Sequence, residues 1–380
     1  MKTGGYVAPG FEAVADAFAA NFRDRGELGA AFAAVRGDEL VVDLWGGVAD
    51  RPSGRPWQRN TLQLVFSGTK GMVALCMLML IDRGRIALDD AVARHWPEFG
   101  KPEVAIRDLV GHTARLPGID TPISVSDLVD DRRMAAILAA QAPSSDLRAA
   151  FCYHALTYGW LCGELIRRVD GRSAGTFFAE EVAAPLDVEF WIGLPEALEP
   201  RVSTLELDRD WGTTKPRTPG DFASDPLLKS VWGNPEIFDR ATFFWNDRAV
   251  HGAEIPGANG IGAPRGIAKV YAALANGGAP LVSGDAMRLA TTTLSKGYDV
   301  LHDEERRFGV GFQLQVGDNN YGPPPDAFGH GGAGGSIHGA WPTERVGFSY
   351  AMSLMRDAER PDPRQKALLV ALHQAVNAGR

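Results

Sequence analysis

Cysteine is scarce in this chain, which has three cysteines among 380 residues. Cys76, Cys152 and Cys162 are odd in number and lie among apolar residues, so we expect buried free thiols rather than disulfides. No cysteine or histidine spacing typical of a metal site occurs. The sequence therefore predicts neither a disulfide framework nor a bound metal.

Basic tracts and long apolar runs are also missing. The net charge is −8, which argues against nucleic acid and anionic membranes as partners. The longest apolar run has about ten residues, whereas a membrane-spanning helix needs roughly 20. The opening residues, "MKTGGYVAPGFEAV", lack the apolar segment of a signal peptide. These absences predict a cytoplasmic protein.

Helical and strand patterns occur in blocks along the chain. Residues 10–25 have helical spacing, and "GAAFAAVRGDELVVDLWGG" is typical of a β-hairpin. The short stretch "TLQLVF" predicts a strand that leads directly into a helix at Ser67. The middle is largely helical and includes an amphipathic helix at 158–171 that Gly171 closes. Closely spaced strands return in the last third, before a last helix from about Pro363 to Asn377. We therefore predict an α/β (α+β) fold, with an antiparallel sheet and its flanking terminal helices built from residues 1–83 and 265–380. Residues 84–264 form an inserted, mainly helical domain in this prediction, with loops that cover the functional site.

The stretch "LVFSGTKGMVALCMLMLIDRG" (64–84) predicts a buried helix with two polar residues in its first turn. Ser67 and Lys70 are three residues apart, so they share one helix face. Partial burial and the positive helix end disfavour the Lys70 ammonium, and a neutral lysine can accept the proton of a serine. In the alternative interpretation, Ser67 is only an N-cap and Lys70 reaches solvent.

Two further stretches carry polar or glycine patterns that suit such a site. Tyr153 precedes a helix on an irregular segment, where its hydroxyl can point into a cleft, while Tyr158 sits in the helix and favours packing. The segment "FGHGGAGGSIHGAWP" (328–342) has enough glycine to let a ligand lie against the backbone. An N–H from this segment can pair with that of Ser67 to form an oxyanion hole. Its G-x-G-x-x-G pattern is not followed by a helix, which excludes a dinucleotide site.

Four stretches, in order across most of the chain, together resemble the serine β-lactamase and penicillin-binding-protein superfamily. "FSGTKG" resembles its S-x-x-K motif, and "LVGHTARLPG" resembles the segment LLxHTSGLPG. "FCYHALTYGWLCGEL" resembles FxYSNxGYxLLGxI, and "FGHGGAGG" is similar to the third motif, K-T-G in β-lactamases and often H-x-G or W-x-G in esterases. More narrowly, the chain resembles the class C-like esterases called family VIII carboxylesterases.

The resemblance implies a β-lactamase-like fold and a two-step acyl transfer without cofactor or metal. Ser67 would be the nucleophile, and Lys70 and Tyr153 would relay its proton as a coupled pair. The backbone N–H groups of Ser67 and Ala333 would hold the oxyanion. The substrate-binding residues implied by the third motif are His330, Gly331 and Gly332.

Two departures from the β-lactamase pattern favour neutral esters. Ala155 stands where these enzymes usually have an asparagine that contacts the amide side chain of the substrate. His330 stands where they have a lysine, so a permanent cation for a substrate carboxylate is missing. We therefore expect a carboxylesterase for short to medium acyl esters. The aromatic residues Trp211, Phe243, Phe244 and Trp245 would either line its acyl pocket or belong to the core.

Other activities stay open at this point. A β-lactamase, a D-amino-acid peptidase or amidase, and an acyltransferase share the nucleophile, and a non-catalytic sensor would be acylated without release. A Ser-His-Asp hydrolase is disfavoured because no G-x-S-x-G occurs, and His330 or His338 would need a serine nearby in space. His95 and His112 are interpreted as structural. The oligomeric state is not predicted.

Overall fold

Strands come from both ends of the chain, and helices occupy most of its middle. The computed structural model describes residues 3–212, 222, 224–317, 320–357 and 362–378. Its strands are β1 (Thr3–Val7), β2 (Gly29–Arg36), β3 (Glu39–Asp50), β4 (Arg55–Pro56), β5 (Gln63–Leu64), β6 (Phe190–Trp191), β7 (Glu206–Leu207), β8 (Ile261–Gly262), β9 (Ser295–Asp299), β10 (Glu304–Phe308), β11 (Gln313–Leu314), β12 (Phe328–Gly331), β13 (Ile337–Trp341), β14 (Val346–Met352) and β15 (Leu354–Met355).

The helices vary from single turns to fifteen residues. The longer ones are Glu12–Asp24, Gly68–Asp82, Asp131–Ala140, Thr157–Asp170, Pro264–Ala275, Gly284–Thr291 and Pro363–Asn377. The shorter ones are Val92–His95, Ile106–Val110, Val125–Leu128, Ala174–Phe178, Ala184–Leu186, Pro226–Trp232 and Arg248–Gly252, with a π-helical turn at Ala179–Ala183. Turns of 3₁₀ type lie at Pro97–Phe99, Leu147–Phe151, Glu196–Arg201, Phe244–Asn246 and Ala333–Gly335. No helix among the described residues is long and apolar enough to cross a membrane.

The main sheet is antiparallel throughout, as predicted. Its strand order is β1-β3-β2-β14-β13-β12-β11-β10-β9, with β4 paired to β3. The pairing of β2 with β14 joins the N-terminal hairpin to the C-terminal strands in the middle of the sheet. The predicted strand "TLQLVF" is shorter in the structure: Gln63–Leu64 form the strand, in a separate three-stranded sheet with β6 and β8, and Leu62 adds an isolated bridge to Val202. The chain leaves this strand early because it turns at Phe66 into the next helix.

Strand β2 is buried on both faces, which explains its nearly continuous apolar sequence. Ala33 and Val35 pack with the helix Pro264–Ala275 on one face of the sheet. Phe32, the neighbour of Ala33, points to the other face and belongs to the main core. The terminal helices Glu12–Asp24 and Pro363–Asn377 pack against each other, and their core residues join the same main cluster. The sheet is thus flanked as predicted. The division at residues 83 and 264 stays a prediction.

The helix Gly68–Asp82 lies inside the core, and its residues from Gly68 to Leu80 are all buried. A helix that is apolar on every side has no face to offer to water, so it is stable only where other elements surround it. Lys70 is therefore carried into the core with this helix and is 0% exposed. The three cysteines are free and buried, as predicted.

Candidate active site

A strained turn presents Ser67 at the start of the buried helix. Phe66, the residue before it, has a φ of 46°, a left-handed conformation that bulky residues rarely adopt. Its ring packs edge-on against Trp245 and Phe238, with centroids 5.1 and 5.5 Å away, which holds the turn in place. Ser67 occupies the N-cap position, but its side chain makes no capping hydrogen bond. The hydroxyl is therefore available for another role.

Lys70 points at Ser67 and is held by two backbone carbonyls. Its Nζ lies 3.0 Å from Ser67 Oγ, 2.5 Å from the Ala155 carbonyl oxygen and 2.6 Å from the Gly257 carbonyl oxygen. The two carbonyls only accept hydrogen bonds, so they take two N–H groups of the lysine. In a neutral amine, the remaining position is a lone pair that faces the Ser67 hydroxyl.

Burial is the main reason that the pKa of Lys70 lies well below its ordinary value. The positive charge of Arg306 lowers the pKa of Lys70 further. No carboxylate forms an ion pair with Lys70 among the described residues. The arrangement therefore favours a neutral Lys70 that can take a proton.

Tyr153 covers Lys70 from the other side. Its ring centroid lies 4.9 Å from the Lys70 Nζ, and its backbone N–H donates to the buried carboxylate of Asp299 at 2.9 Å. Burial raises the pKa of the Tyr153 hydroxyl, while Arg306 and the nearby Ser67 side chain lower it. The structure thus brings Ser67, Lys70 and Tyr153 together, as the motifs predict.

The glycine-rich segment lies against the Ser67 turn. A Cβ on Gly332 would stand 2.2 Å from the Val65 carbonyl oxygen, and the Ser336 hydroxyl donates to the same oxygen at 3.3 Å. This close approach places Ala333, which is half-buried, beside the nucleophile turn. In the part of the chain that the structure describes, no group accepts a hydrogen bond from the backbone N–H of Ser67 or of Ala333. Both donors are free to hold an oxyanion.

The turn that carries Ala333 is fixed by a buried ionic cluster. Arg364 is 0% exposed and donates to the Gly334 carbonyl at 3.1 Å. Its guanidinium also forms ion pairs with Glu27 at 3.1 Å and with Asp362 at 2.7 Å. Residues from both ends of the chain therefore hold this turn in position.

His330 lies close to Tyr153 but is buried and uncharged. Its ring centroid is 5.9 Å from that of Tyr153, and burial and the nearby Lys70 lower its pKa well below the ordinary value. Its Nδ1 contacts the carbonyl of the adjacent Gly331 at 3.0 Å. As the sequence predicts, this position offers no permanent cation to a substrate.

A serine does meet His338, but the pair is closed to substrate. The Nδ1 of His338 and the Ser349 hydroxyl are 2.7 Å apart, and both side chains are 0% exposed. Burial lowers the pKa of His338 to about 3. No carboxylate contacts this histidine among the described residues. This pair therefore lacks the access and the third partner that a Ser-His-Asp triad needs.

The four aromatic residues considered for the acyl pocket differ in burial. Phe244 and Trp245 are buried in the core, whereas Trp211 and Phe243 are half-buried. Trp211 packs on Phe238, which also contacts Phe66 next to the nucleophile. Most of the loop that follows Trp211, residues 213–221 and 223, lies outside the described residues.

Several residues that shape the site were missed in the sequence. Arg306 stacks on the Tyr153 ring with its Cζ 4.4 Å from the centroid, and Asp299 holds the Tyr153 backbone. Gly257 supplies a carbonyl to Lys70 from a distant loop. These residues belong to no short motif, so no local signal pointed to them. Among the described residues, no cluster of histidine, cysteine or carboxylate side chains could hold a metal ion.

The chain is similar to known proteins over most of its length. A model of the Beta-lactamase family matches residues 14–372. The chain is 34% identical over 371 residues to the esterase/beta-lactamase LipL of Mycobacterium tuberculosis (strain ATCC 25618 / H37Rv), covering 92% of this chain and 82% of that protein.

Two solved structures are similar over nearly the whole chain. A family VIII carboxylesterase superposes with a TM-score of 0.89 at 39% identity, covering 99% of this chain and 100% of the other. A penicillin-binding-protein homologue from Caulobacter crescentus superposes with a TM-score of 0.87 at 35% identity, with the same coverage.

Proposed function

The chain belongs to the Beta-lactamase family, and we propose that within it the protein is a serine carboxylesterase that hydrolyses short to medium acyl esters. The observation that carries this proposal is the geometry of Lys70. Its Nζ is held by two carbonyls and faces the Ser67 hydroxyl at 3.0 Å. This arrangement suits a neutral amine that accepts the serine proton.

The first half-reaction forms an acyl-enzyme. Ser67 Oγ attacks the ester carbonyl while Lys70, coupled to the Tyr153 hydroxyl, takes the serine proton. The C–O bond to the alcohol then breaks, and the same pair returns the proton to the departing alkoxide. The free N–H groups of Ser67 and Ala333 hold the developing oxyanion.

The second half-reaction releases the acid. A water molecule gives a proton to the Lys70 and Tyr153 pair and attacks the acyl carbonyl. The bond to Ser67 Oγ breaks, and the proton returns to the serine. Two observations support this role of Tyr153: its ring centroid lies 4.9 Å from the Lys70 Nζ, and the Ser67 side chain lowers the pKa of its hydroxyl.

Two positions favour an ester over a β-lactam. The Ala155 side chain is a buried methyl group, so it cannot bind an amide, although its carbonyl holds Lys70. His330 is buried with a lowered pKa, so it offers no charge to a carboxylate. The similarity to a family VIII carboxylesterase supports the same choice.

The second candidate is a β-lactamase or peptidase of the same family. It is favoured by the similarity to LipL, whose name includes both activities, and to a penicillin-binding-protein homologue. Hydrolysis and acyl transfer to another alcohol share the acyl-enzyme, so the acceptor has to be measured.

We expect p-nitrophenyl butyrate to be cleaved rapidly and a chromogenic cephalosporin slowly. Ser67→Ala should lower the ester rate by about 10³-fold or more, since removal of the nucleophile leaves only binding and the oxyanion hole. Ser349→Ala is the matched control, because it removes the other serine that meets an imidazole, and it should keep the rate. Steady-state rates of both substrates check this.

Each other outcome has a distinct meaning. Ester cleavage that persists in Ser67→Ala would overturn the nucleophile assignment. Fast cephalosporin turnover would favour the second candidate. Acylation of Ser67 without turnover would favour a sensor. In a series of p-nitrophenyl esters, an optimum above about ten carbons would contradict the proposed chain length.

A further inference from the structure

We propose that Arg306 is a positioning residue whose permanent charge, fixed against the Tyr153 ring by the buried Asp299 carboxylate, keeps the Ser67 centre reactive at mildly acidic pH. This role rests on the proposed function, because it concerns the same proton transfer. It does not depend on the identity of the ester.

The first support is the place of Arg306 in the fold. It lies on β10 and is 5% exposed, and its guanidinium carbon stands 4.4 Å from the centroid of the Tyr153 ring. A guanidinium over an aromatic face is a favourable arrangement for a partly desolvated cation. The charge is therefore held beside the proton relay rather than in solvent.

The second support is the way in which Asp299 joins the two residues. Asp299 is 0% exposed, accepts the backbone N–H of Tyr153 at 2.9 Å and lies 3.6 Å from the Arg306 Nε. It also contacts the Nδ1 of His302 at 2.7 Å. The β9–β10 hairpin thus places one buried carboxylate in a hydrogen bond with the Tyr153 backbone and in an ion pair with the cation over the Tyr153 ring.

Arg306 is unsuited to binding a substrate carboxylate. Its guanidinium also pairs with Glu304, so two carboxylates already occupy it. Its burial leaves little surface for a ligand. The remaining effect of its charge is electrostatic and acts on the groups around it.

The positive charge of Arg306 lowers the pKa of both Lys70 and Tyr153. A cation nearby disfavours the ammonium of Lys70 and favours the phenolate of Tyr153, so it lowers the pKa of both groups. Asp299 and Glu304 oppose it at Tyr153, but each raises the pKa of the phenol less than Arg306 lowers it. The base form of the pair is therefore available at a lower pH than it would be without Arg306.

Apart from His302, the other titratable groups packed around the pair stay uncharged. Burial lowers the pKa of His112 and His330 well below the ordinary value and that of His154 to about 4. Burial raises the pKa of Cys162 to about 12 and that of Tyr321 well above its ordinary value. At neutral pH, Arg306 and its two carboxylates are thus fixed charges next to Lys70 and Tyr153. His302 is the remaining titratable group there, because its ring packs edge-on against that of Tyr153 at 5.5 Å and its Nδ1 contacts Asp299.

The test is the pH profile of kcat/KM for p-nitrophenyl butyrate in Arg306→Gln and Arg306→Lys. The acid limb is the pH range over which kcat/KM rises as the base form of the pair appears. Loss of the charge should move this limb upward by about one pH unit, which corresponds to about 1.4 kcal/mol. Arg306→Lys keeps the charge and should shift the limb much less. Arg307→Gln is the matched control, because Arg307 is the next residue of β10 and successive residues of a strand face opposite sides.

Glu304→Gln should shift the pH profile in the opposite direction. It should also disturb the fold less than a change at Arg306, because the Glu304 side chain is 31% exposed. It removes a carboxylate that offsets Arg306, so the acid limb should move downward. This variant tests the proposal even if Arg306→Gln does not fold. The same profiles should be measured for inactivation by a fluorophosphonate, which reports on Ser67 without any ester turnover.

Two results would overturn the proposal. An Arg306→Gln enzyme that is slower at every pH with an unmoved acid limb would reduce Arg306 to a structural residue. Equal shifts in Arg306→Lys and Arg306→Gln would show that shape rather than charge matters. If wild-type protein does not cleave the ester but its fluorophosphonate profile depends on Arg306, the proposed function fails while this inference stands.

Discussion

At the scale of single residues, the central feature is a lysine that the core keeps close to a serine. Lys70→Met removes the amine, and Lys70→Arg keeps a charge but cannot accept a proton, so we expect both to lower kcat/KM by about 10²- to 10⁴-fold. Lys101→Met is the matched control. Lys101 is also buried and also donates to backbone carbonyls, those of Phe99, Leu138 and Ala139. Lys101→Met should lower the free energy of unfolding but leave kcat/KM nearly unchanged.

Single-turnover acylation and thermal unfolding of these variants separate the two effects. A Lys70→Arg enzyme with near-normal acylation would mean that the residue acts by its charge alone. An equal kinetic loss in Lys101→Met would mean that buried lysines matter for the fold rather than for proton transfer.

The motif residues could be predicted because their chemistry depends on short, fixed spacings. Ser67 and Lys70 are one helical turn apart, and their meeting follows from helix geometry alone. Asp299 contacts Tyr153 from 146 positions away, and Arg306 stacks on the same ring, so both contacts depend on how the sheet folds back. No local pattern specifies such a distance.

At the scale of elements, Lys70 depends on a close approach between the helix Thr157–Asp170 and the loop that contains Gly257. A Cβ on Gly159 would stand 1.9 Å from the Gly257 backbone nitrogen. Gly159→Ala should therefore displace the Gly257 carbonyl from Lys70. A shift of about 1 Å can lower kcat/KM by roughly 10²-fold, and overpacking costs about 1–3 kcal/mol of unfolding free energy.

Gly163→Ala is the control for that variant, because it lies on the same helix and its nearest neighbour, the Pro256 ring, is 3.3 Å away. It should lose much less activity, and helix propensity favours alanine by about 1 kcal/mol. Steady-state kinetics and urea unfolding of both variants check the expectation. Equal activity losses would contradict a role for the Gly257 carbonyl.

Most elements could be predicted, and the errors lie where tertiary structure overrides the local pattern. The helix ending at Gly171 and the last helix, Pro363–Asn377, follow from apolar spacing and from their end residues. The strand "TLQLVF" was predicted too long, because the chain needs its last residues for the strained turn at Phe66. Packing of the Phe66 ring, which the sequence does not reveal, stabilises that turn.

At the scale of the whole molecule, buried neutral histidines make stability sensitive to acid. The pKa values of His112 and His330 lie well below 6.5, and those of His154 and His338 are about 4 and about 3. Below pH 6.5 the unfolded chain takes up protons that the folded protein does not, so stability falls as pH falls. His154 and His338 each cost about 2 kcal/mol of unfolding free energy between pH 7 and pH 5, and His112 and His330 act in the same direction.

Urea unfolding at pH 7 and pH 5 measures this loss. Glu27 and Glu254 have raised pKa values and act in the opposite direction, because the folded protein binds their protons more readily. His338→Gln should reduce the loss by about 2 kcal/mol, which is the share of one histidine. An unchanged difference between the two pH values in this variant would contradict the assignment of His338 as neutral.

The pairing of β2 with β14 has a consequence for biosynthesis. The ribosome makes the Ser67 turn early, but its neighbours Gly257 and Gly332 follow about 190 to 265 residues later. At about 5–20 residues per second, translation delays them by roughly 10–50 s. During that interval the apolar edge of β2 has no partner strand, and such an edge invites aggregation. The protein therefore acquires its reactive centre near the end of translation, and a nascent chain that stops before β14 leaves β2 exposed.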